Sequence, residues 1–190
     1  MKMIAGLLLA AALWASVLAQ GKPSQKKSGE RGEAVNVPPK PAPEMEKLSK
    51  MLVGLWKTRE KHEPGEIAPK GGVGQGLETV RLGPGAMSLV YDYKASDPMG
   101  KFAAHGVLWW DVKERGYRNV ECQNRSATGC DVGLWRWEGN ALVSHNEGMK
   151  MAWTDITPTS RTFYMDTADG GQMKRVMTIE YSKSAKTAKP

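Results

Sequence analysis

The amino-acid sequence predicts an all-β fold, namely a closed antiparallel up-and-down barrel of about ten strands with a short N-terminal helix plugging one end. Apolar and polar residues alternate with a period of two from about residue 55 to residue 181, which is typical of strands that bury one face. The alternating segments are short and separated by turn-length stretches, as in a meander of hairpins. A single segment, just before the first strand, has a helical period instead.

The predicted helix begins after Pro43 and covers two or three turns. Met45, Leu48 and Leu52 recur at spacings of three and four residues, so they form one apolar stripe. Pro43 stands where a helix tolerates proline, and Gly54 is well placed to end the helix. We expect this stripe to pack over one end of the barrel.

The strands are predicted from alternation and from the turn chemistry between them. Gly83-Pro84-Gly85 and Asp169-Gly170-Gly171 are two of the turn signals. The predicted strands span 55–62, 74–82, 87–95, 101–110, 116–123, 133–138, 141–146, 150–156, 161–167 and 173–181. A sheet of this size twists, and its free edges would invite aggregation unless it closes. An open two-sheet sandwich is the main alternative, but it requires longer connections.

The chain is predicted to contain one folded domain between tails. Lys2, the apolar run Ile4–Leu18 and the small residue Ala19 indicate a secretory signal peptide over residues 1–19. The apolar run is shorter than the roughly 20 residues that a bilayer span requires. Residues 20–43 have the composition of a disordered Pro/Lys-rich linker. The barrel domain is predicted over 44–182 and a disordered basic tail over 183–190. We therefore expect an exported protein, periplasmic or extracellular, with no stable membrane insertion after signal cleavage.

The positive charge does not indicate a nucleic-acid partner. The net charge is +7, but residues 48–182 contain 17 Lys/Arg and 16 Asp/Glu. A nucleic-acid-binding groove requires its basic residues on the folded surface, whereas most of the excess here lies in the tails.

Cys122 and Cys130 are the two cysteines of the chain. In an exported protein such a pair predicts a disulfide. Two free thiols, or half of a metal site, are the alternatives. Their spacing is not that of a zinc knuckle.

Two sequence motifs resemble known families. Gly54-Leu55-Trp56, at the junction of the helix and the first strand, resembles the G-x-W signature of the calycins, which include lipocalins, fatty-acid-binding proteins and nitrobindin-like barrels. The longer run 52–57, together with 105–108 and the following Asp111, resembles the bacterial domain-of-unknown-function 1579 family. That resemblance covers about residues 44–182 and implies a small, often exported barrel without an assigned activity.

The calycin resemblance also implies roles for individual residues. In calycins the motif tryptophan packs at the closed end under a basic side chain from the last strand, which makes Trp56 and Arg175 the expected structural pair. Nitrobindin-like barrels bind haem through a histidine late in the chain, but no histidine follows His145 here. Haem is therefore disfavoured, and we expect no cofactor and no metal site.

Alternation predicts which side chains point inward. If Trp56 faces the interior, Glu60 and His62 do too, and the inward face of the last strand runs from Met173 through Arg175 to Tyr181. The candidate ligand-binding side chains are Glu60, His62, Tyr91, Tyr93, His105, Trp135, Trp137 and Met177.

These candidates predict a pocket for a small hydrophobic or aromatic ligand, bound without catalysis. Two other functions remain open. Glu60 and His62 share one strand face, which suits an acid–base pair of an enzyme. A filled core would instead leave a structural or protein-binding module that presents one ring of Trp109-Trp110. The sequence carries no signal for an oligomeric state.

Overall fold

The computed structural model describes residues 39–66, 68–127 and 129–185. The predicted signal peptide over 1–19 and most of the predicted linker over 20–43 lie outside these residues. The last residues of the predicted tail, 186–190, also lie outside them. No helix in the described part of the chain is long and apolar enough to cross a bilayer.

One helix precedes ten strands. The helix α1 spans Pro43–Leu52. The strands are β1 (Gly54–His62), β2 (Gly72–Leu82), β3 (Ser88–Asp97), β4 (Gly100–Asp111), β5 (Gly116–Gln123), β6 (Cys130–Glu138), β7 (Ala141–Asn146), β8 (Met149–Thr154), β9 (Ser160–Asp169) and β10 (Gln172–Lys183). A short 3-10 helix, Pro84–Ala86, joins β2 to β3. The strand β10 therefore extends one residue past the predicted end of the barrel domain.

The strands form a closed barrel in which each strand pairs with its neighbours in the sequence. β1 closes the sheet by pairing antiparallel with both β2 and β10, from Trp56↔Lys183 to His62↔Met177 on the β10 side. This confirms the predicted closed up-and-down barrel and excludes the two-sheet sandwich. Closure leaves every strand paired on both sides, so the sheet has no free edge.

The helix α1 covers the barrel end where β1 begins, which we call the closed end. Met45 and Leu48 are buried there against the barrel core. The indole Nε1 of Trp56 donates to the backbone oxygen of Leu52 at 2.8 Å, and the Tyr117 hydroxyl donates to the backbone oxygen of Glu44 at 3.2 Å. The apolar stripe of the helix therefore plugs this end, as predicted.

The opposite end, where β1 ends at His62 and β3 ends at Asp97, we call the mouth. A disulfide joins Cys122 and Cys130 there, and these two residues also pair across β5 and β6. The predicted disulfide is confirmed. It ties the end of β5 to the start of β6 across the loop between them.

A β-bulge in β10 reverses the predicted face of its first residues. The pairing of β10 with β9 shifts by one residue between Arg175 and Met177. Such a bulge adds one residue to a strand and breaks the alternation. Met177 and Tyr181 stay on the inner face, whereas Met173 is exposed and Arg175 lies on the outer face. The inward assignment of Met173 and Arg175 is therefore wrong.

Candidate functional site

The barrel encloses a cavity of about 770 Å³. The cavity reaches the surface at the mouth, where the lining residues Met99 and Val132 are exposed. Aromatic side chains make up a large part of its wall: Tyr91, Tyr93, Phe102, Trp135, Trp153, Phe163 and Tyr181. The barrel interior is thus not filled by its own side chains.

Six of the eight candidate side chains line this cavity. They are Glu60, His62, Tyr91, Tyr93, Trp135 and Met177. They come from β1, β3, β6 and β10. Counting alternate residues from Trp56 places the two β1 residues on the inner face, because β1 pairs with both neighbours without a bulge.

His105 does not line the cavity, which corrects the prediction for this residue. Ala104 and Gly106 are buried on either side of it, whereas His105 is exposed. It lies on the outer face of β4, with its Nδ1 2.7 Å from Asp92 Oδ1. Hydrogen bonds to Asp92 from Arg81 and then from His105 lower the pKa of that carboxyl. The small residues on either side of His105 gave no hydrophobic signal for the inner face.

Trp137 has the predicted inward orientation but lies too close to the closed end to reach the cavity. It packs against the core beside α1, and Lys47 Nζ lies 5.6 Å from its ring centroid. Strand alternation predicts the face of a residue but not its depth along the barrel. Trp137 therefore supports the helix rather than the cavity wall.

The basic partner of Trp56 is Arg161 of β9, not Arg175. The Arg161 Cζ lies 4.2 Å from the Trp56 ring centroid, 4.5 Å from that of Trp153 and 4.3 Å from that of Tyr181. Arg175 stacks instead on Tyr164 at 3.8 Å on the outer face. The bulge in β10 is the physical reason for the error.

Arg161 also pairs with Glu78 of β2 across the barrel interior, and both side chains are buried. Burial raises the pKa of Glu78, and the charge of Arg161 opposes that rise. Sequence reasoning missed both residues. A charged residue on an otherwise apolar strand face is the sequence signal that could have found such a residue. In β9, Arg161 shares its face with Phe163 and Met165.

A chain of hydrogen bonds runs along one cavity wall and ends at Glu121 of β5. Trp135 Nε1 donates to Asn119 Oδ1 at 3.0 Å, Asn119 Nδ2 donates to the Tyr91 hydroxyl at 3.4 Å, and that hydroxyl donates to Glu121 Oε2 at 2.8 Å. Burial raises the pKa of Tyr91, so the phenol remains protonated and acts as a donor. The chain presents its last acceptor, Glu121, to the cavity.

Two glycines make room for this chain. A Cβ on Gly106 would lie 2.2 Å from Cζ of Tyr91, and a Cβ on Gly133 would lie 2.2 Å from Asn119 Oδ1. Tyr91 can therefore cross β4 to reach Glu121 only because position 106 lacks a side chain. Glu121 was not predicted because the inward residues of β5 are more polar than its outward residues.

A second polar cluster lies at the mouth. His62 Nε2 is 3.1 Å from Glu60 Oε2 and 3.9 Å from Asp97 Oδ2. The Tyr93 hydroxyl donates to Glu60 Oε1 and lies 2.9 Å from Thr58 Oγ1. Burial, followed by the hydrogen bond to Glu60, raises the pKa of Tyr93.

The mouth cluster includes a set of possible metal ligands. Ligand atoms of Glu60, His62 and Asp97 all lie within 4.8 Å of one another, which is a donor set that Zn²⁺ can use. However, Arg125 donates to both oxygens of Asp97, at 2.6 and 2.9 Å. The largest single effect on the pKa of Asp97 is desolvation, which raises the pKa. The hydrogen bonds from Arg125 and from the Met99 amide together outweigh desolvation, so the pKa of Asp97 is lowered. A metal ion would therefore compete with a guanidinium for Asp97.

The three histidines do not converge on one site. His62 lines the cavity, whereas His105 and His145 are exposed on the outer face, the latter 2.9 Å from Glu138 Oε1. A site formed by all three, one of the arrangements that the sequence left open, is thus excluded.

The comparisons with known proteins concern the fold. No family model matches the chain, and no curated protein matches it. An S-type phycobiliprotein lyase from Guillardia theta is similar over 75% of this chain and 93% of its own, with 13% identity and a TM-score of 0.50. The fold is calycin-like. A bovine lipocalin allergen, Bos d 2, matches over 74% of this chain and 77% of its own, with 13% identity and a TM-score of 0.34. Membership of the domain-of-unknown-function 1579 family remains a hypothesis.

Proposed function

We propose that the protein is an exported carrier or receptor that holds a small hydrophobic or aromatic molecule inside the barrel and does not catalyse a reaction. The observation that carries this proposal is the cavity of about 770 Å³ with its aromatic wall. Ligand pockets typically have volumes of about 300–1,000 Å³ and mostly apolar walls with a few fixed polar groups. Trp135 and Tyr91 provide such walls here, and Glu60 and Glu121 provide the polar groups.

The number of strands supports a cavity rather than a filled core. A closed barrel of about eight strands is just wide enough for its side chains to fill or for one small ligand, and the diameter grows with strand number. This barrel has ten strands. The helix plugs the closed end, and the middle of the barrel is available for a ligand.

Export is supported by two features of different kinds. The first 19 residues have the pattern of a secretory signal, and the Cys122–Cys130 disulfide suits an oxidising compartment. Expression of the full chain in a bacterial host, followed by fractionation and mass determination, tests this part. Recovery of the intact, uncleaved chain in the cytoplasm contradicts it.

Binding is tested with N-phenyl-1-naphthylamine, a small aromatic dye whose fluorescence rises in an apolar site. We expect saturable binding to the wild type, and its loss in Met151→Trp, because Met151 of β8 lines the cavity. Lys150→Trp is the matched control, since position 150 pairs with Asp166 on the outer face of the same strand. No dye binding to the folded wild type contradicts the proposal and favours the structural module. Mass spectrometry of molecules that co-purify from the native cells identifies the natural ligand.

An enzyme is the second candidate, because Glu60 and His62 form a buried pair 3.1 Å apart at the cavity mouth. This geometry suits proton transfer to or from a bound molecule. Turnover of a component of a native metabolite extract, abolished in His62→Ala with an unchanged circular dichroism spectrum, supports it. Unchanged turnover in that variant excludes this pair as the acid–base machinery.

A further inference from the structure

The charged side chains that line the cavity are mainly acidic, although the whole chain has a net charge of +7. The acidic ones are Glu60, Glu78, Asp97, Glu121 and Asp131, and the arginines are Arg125 and Arg161. The interior therefore has the opposite sign of charge from the chain as a whole. In a site of low dielectric constant this excess disfavours an anionic ligand and favours a cationic one.

Both guanidiniums of the lining are paired with a carboxylate, although Nε and Nη1 of Arg161 have no hydrogen-bond partner among the described residues. Arg161 forms the buried ion pair with Glu78. Arg125 donates two hydrogen bonds to Asp97 and stacks on the Phe102 ring, with its Cζ 5.1 Å from the centroid. Glu60 accepts a hydrogen bond from the Tyr93 hydroxyl and has His62 Nε2 within 3.1 Å. Asp131 is exposed to solvent, so Glu121 is the enclosed carboxyl of the wall with neither a guanidinium nor an imidazole beside it among the described residues.

Glu121 has no basic partner among the described residues: the Tyr91 hydroxyl is its hydrogen-bond donor. Asp131 stands opposite it in the β5–β6 ladder and adds a like charge. Burial raises the pKa of Glu121, and the charges of Glu78 and Asp131 raise it further against the hydrogen bond from Tyr91. An ionised carboxylate in such surroundings is costly unless a cation joins it.

The hydrogen bonds of the wall are oriented to support negative charge at this position. Trp135, Asn119 and Tyr91 each donate in the direction of Glu121. Successive hydrogen bonds in such a chain polarise and strengthen one another. The chain also fixes the Trp135 indole and the Tyr91 ring beside the carboxyl, which provides a flat apolar surface next to a charged group.

We propose that the ligand carries a protonated amine or another cationic nitrogen, which pairs with Glu121 while its aromatic or aliphatic body packs against the cavity wall. This assignment rests on the proposed ligand-binding function and adds the chemical class of the ligand to it. It distinguishes this cavity from one built for a fatty-acid carboxylate, for which the interior has the wrong sign.

The test uses three probes that have the same naphthalene ring with one exocyclic carbon and differ in the polar group on that carbon. They are 1-naphthylmethylamine, 1-naphthalenemethanol and 1-naphthoate. Each competes with N-phenyl-1-naphthylamine at pH 7.5. We expect the wild type to bind the amine about tenfold or more tightly than the alcohol, because a hydrogen bond to a charged partner exceeds a neutral one by that order. The carboxylate should be the weakest competitor.

Glu121→Gln should remove the preference for the amine over the alcohol, because the amide cannot form the charged pair. Glu138→Gln, which changes an exposed carboxylate on the outer face, is the matched control and should keep the preference. If the wild type binds the amine no more tightly than the alcohol, the inference is overturned. This outcome does not depend on whether the Glu121→Gln variant folds. An amine preference that persists in folded Glu121→Gln also overturns it.

The outcomes separate this inference from the proposed function. Equal binding of the three probes leaves a ligand-binding barrel but rejects the cationic ligand. Failure of the dye to bind the folded protein at all rejects both.

Discussion

The guanidinium of Arg161 on β9 lies 4.2 Å from the ring centroid of Trp56 on β1, two strands away around the barrel. The strand between them, β10, adds Tyr181 to the same stack at 4.3 Å. Glu78 neutralises the guanidinium from β2, on the other side of β1. Four strands on both sides of the closing seam therefore meet at one buried cation, which fastens the seam at the closed end.

Replacement of Arg161 tests this arrangement. We expect Arg161→Ala to lower the free energy of unfolding by about 3–5 kcal/mol, because it leaves Glu78 buried without its partner. Arg175→Ala is the matched control and should cost at most about 1 kcal/mol, since that residue pairs with Asp166 on the exposed outer face. Urea unfolding followed by tryptophan fluorescence measures both values. Equal losses in the two variants would contradict the assignment of Arg161 as the structural partner of Trp56.

Gly106 should be intolerant of even a methyl group. A Cβ there would lie 2.2 Å from Tyr91 Cζ, so Gly106→Ala forces the ring away and should cost about 1–3 kcal/mol of unfolding free energy. Gly65→Ala is the control, because no atom lies within 4 Å of a Cβ at that position.

A double-mutant cycle identifies the cause of that loss. With Tyr91→Ala already in place, Gly106→Ala should be nearly neutral, because the atoms that it would contact are gone. If the cost in the two backgrounds is the same, the contact with Tyr91 is not its origin.

The disulfide should stabilise the mouth by restricting the unfolded chain. Its two cysteines are eight positions apart, and a loop of this length predicts a stabilisation of about 2–3 kcal/mol. The Cys122→Ser, Cys130→Ser double variant should show that loss in urea unfolding, and the wild type should match the variant in the presence of a reductant. A reductant that lowers the stability of the double variant equally would point to another cause.

The pH dependence of stability should reveal Glu121. Burial raises the folded-state pKa of Glu121 above its usual value near 4.5, so the folded protein binds this proton more tightly than the unfolded chain does. Its contribution to stability is therefore lost as the pH rises from about 4.5 through the raised pKa, and it returns as the pH falls.

Glu121→Gln removes this titration. We expect the variant to gain stability relative to the wild type at pH 7.5 and to lose that advantage towards pH 4.5, as measured by urea unfolding at each pH. The control Glu138→Gln should follow the wild-type curve. A constant difference between Glu121→Gln and the wild type at every pH would show that Glu121 titrates as it does in the unfolded chain.

Local sequence signals were sufficient for the strands and for much of the cavity wall. Glu60 and His62 were placed inward by counting from Trp56, because β1 is regular over its whole length. Tyr91, Tyr93 and Met177 followed from the apolar alternation of β3 and of β10 beyond its bulge. The inward prediction for His105 was wrong because its small neighbours Ala104 and Gly106, which occupy the inner face, carry little hydrophobic signal.

The sequence by itself determined the order of helix and strands, the positions of the turns and the cysteine pair, because these depend on residues close together in the chain. Only the tertiary structure decided that Arg161 and not Arg175 covers Trp56, and that Glu121 stands at the end of a donor chain inside the cavity. The bulge at residue 176 and the missing side chain at Gly106 take effect through partners on other strands. Such effects depend on register and stagger, which a strand acquires only when its neighbours are in place.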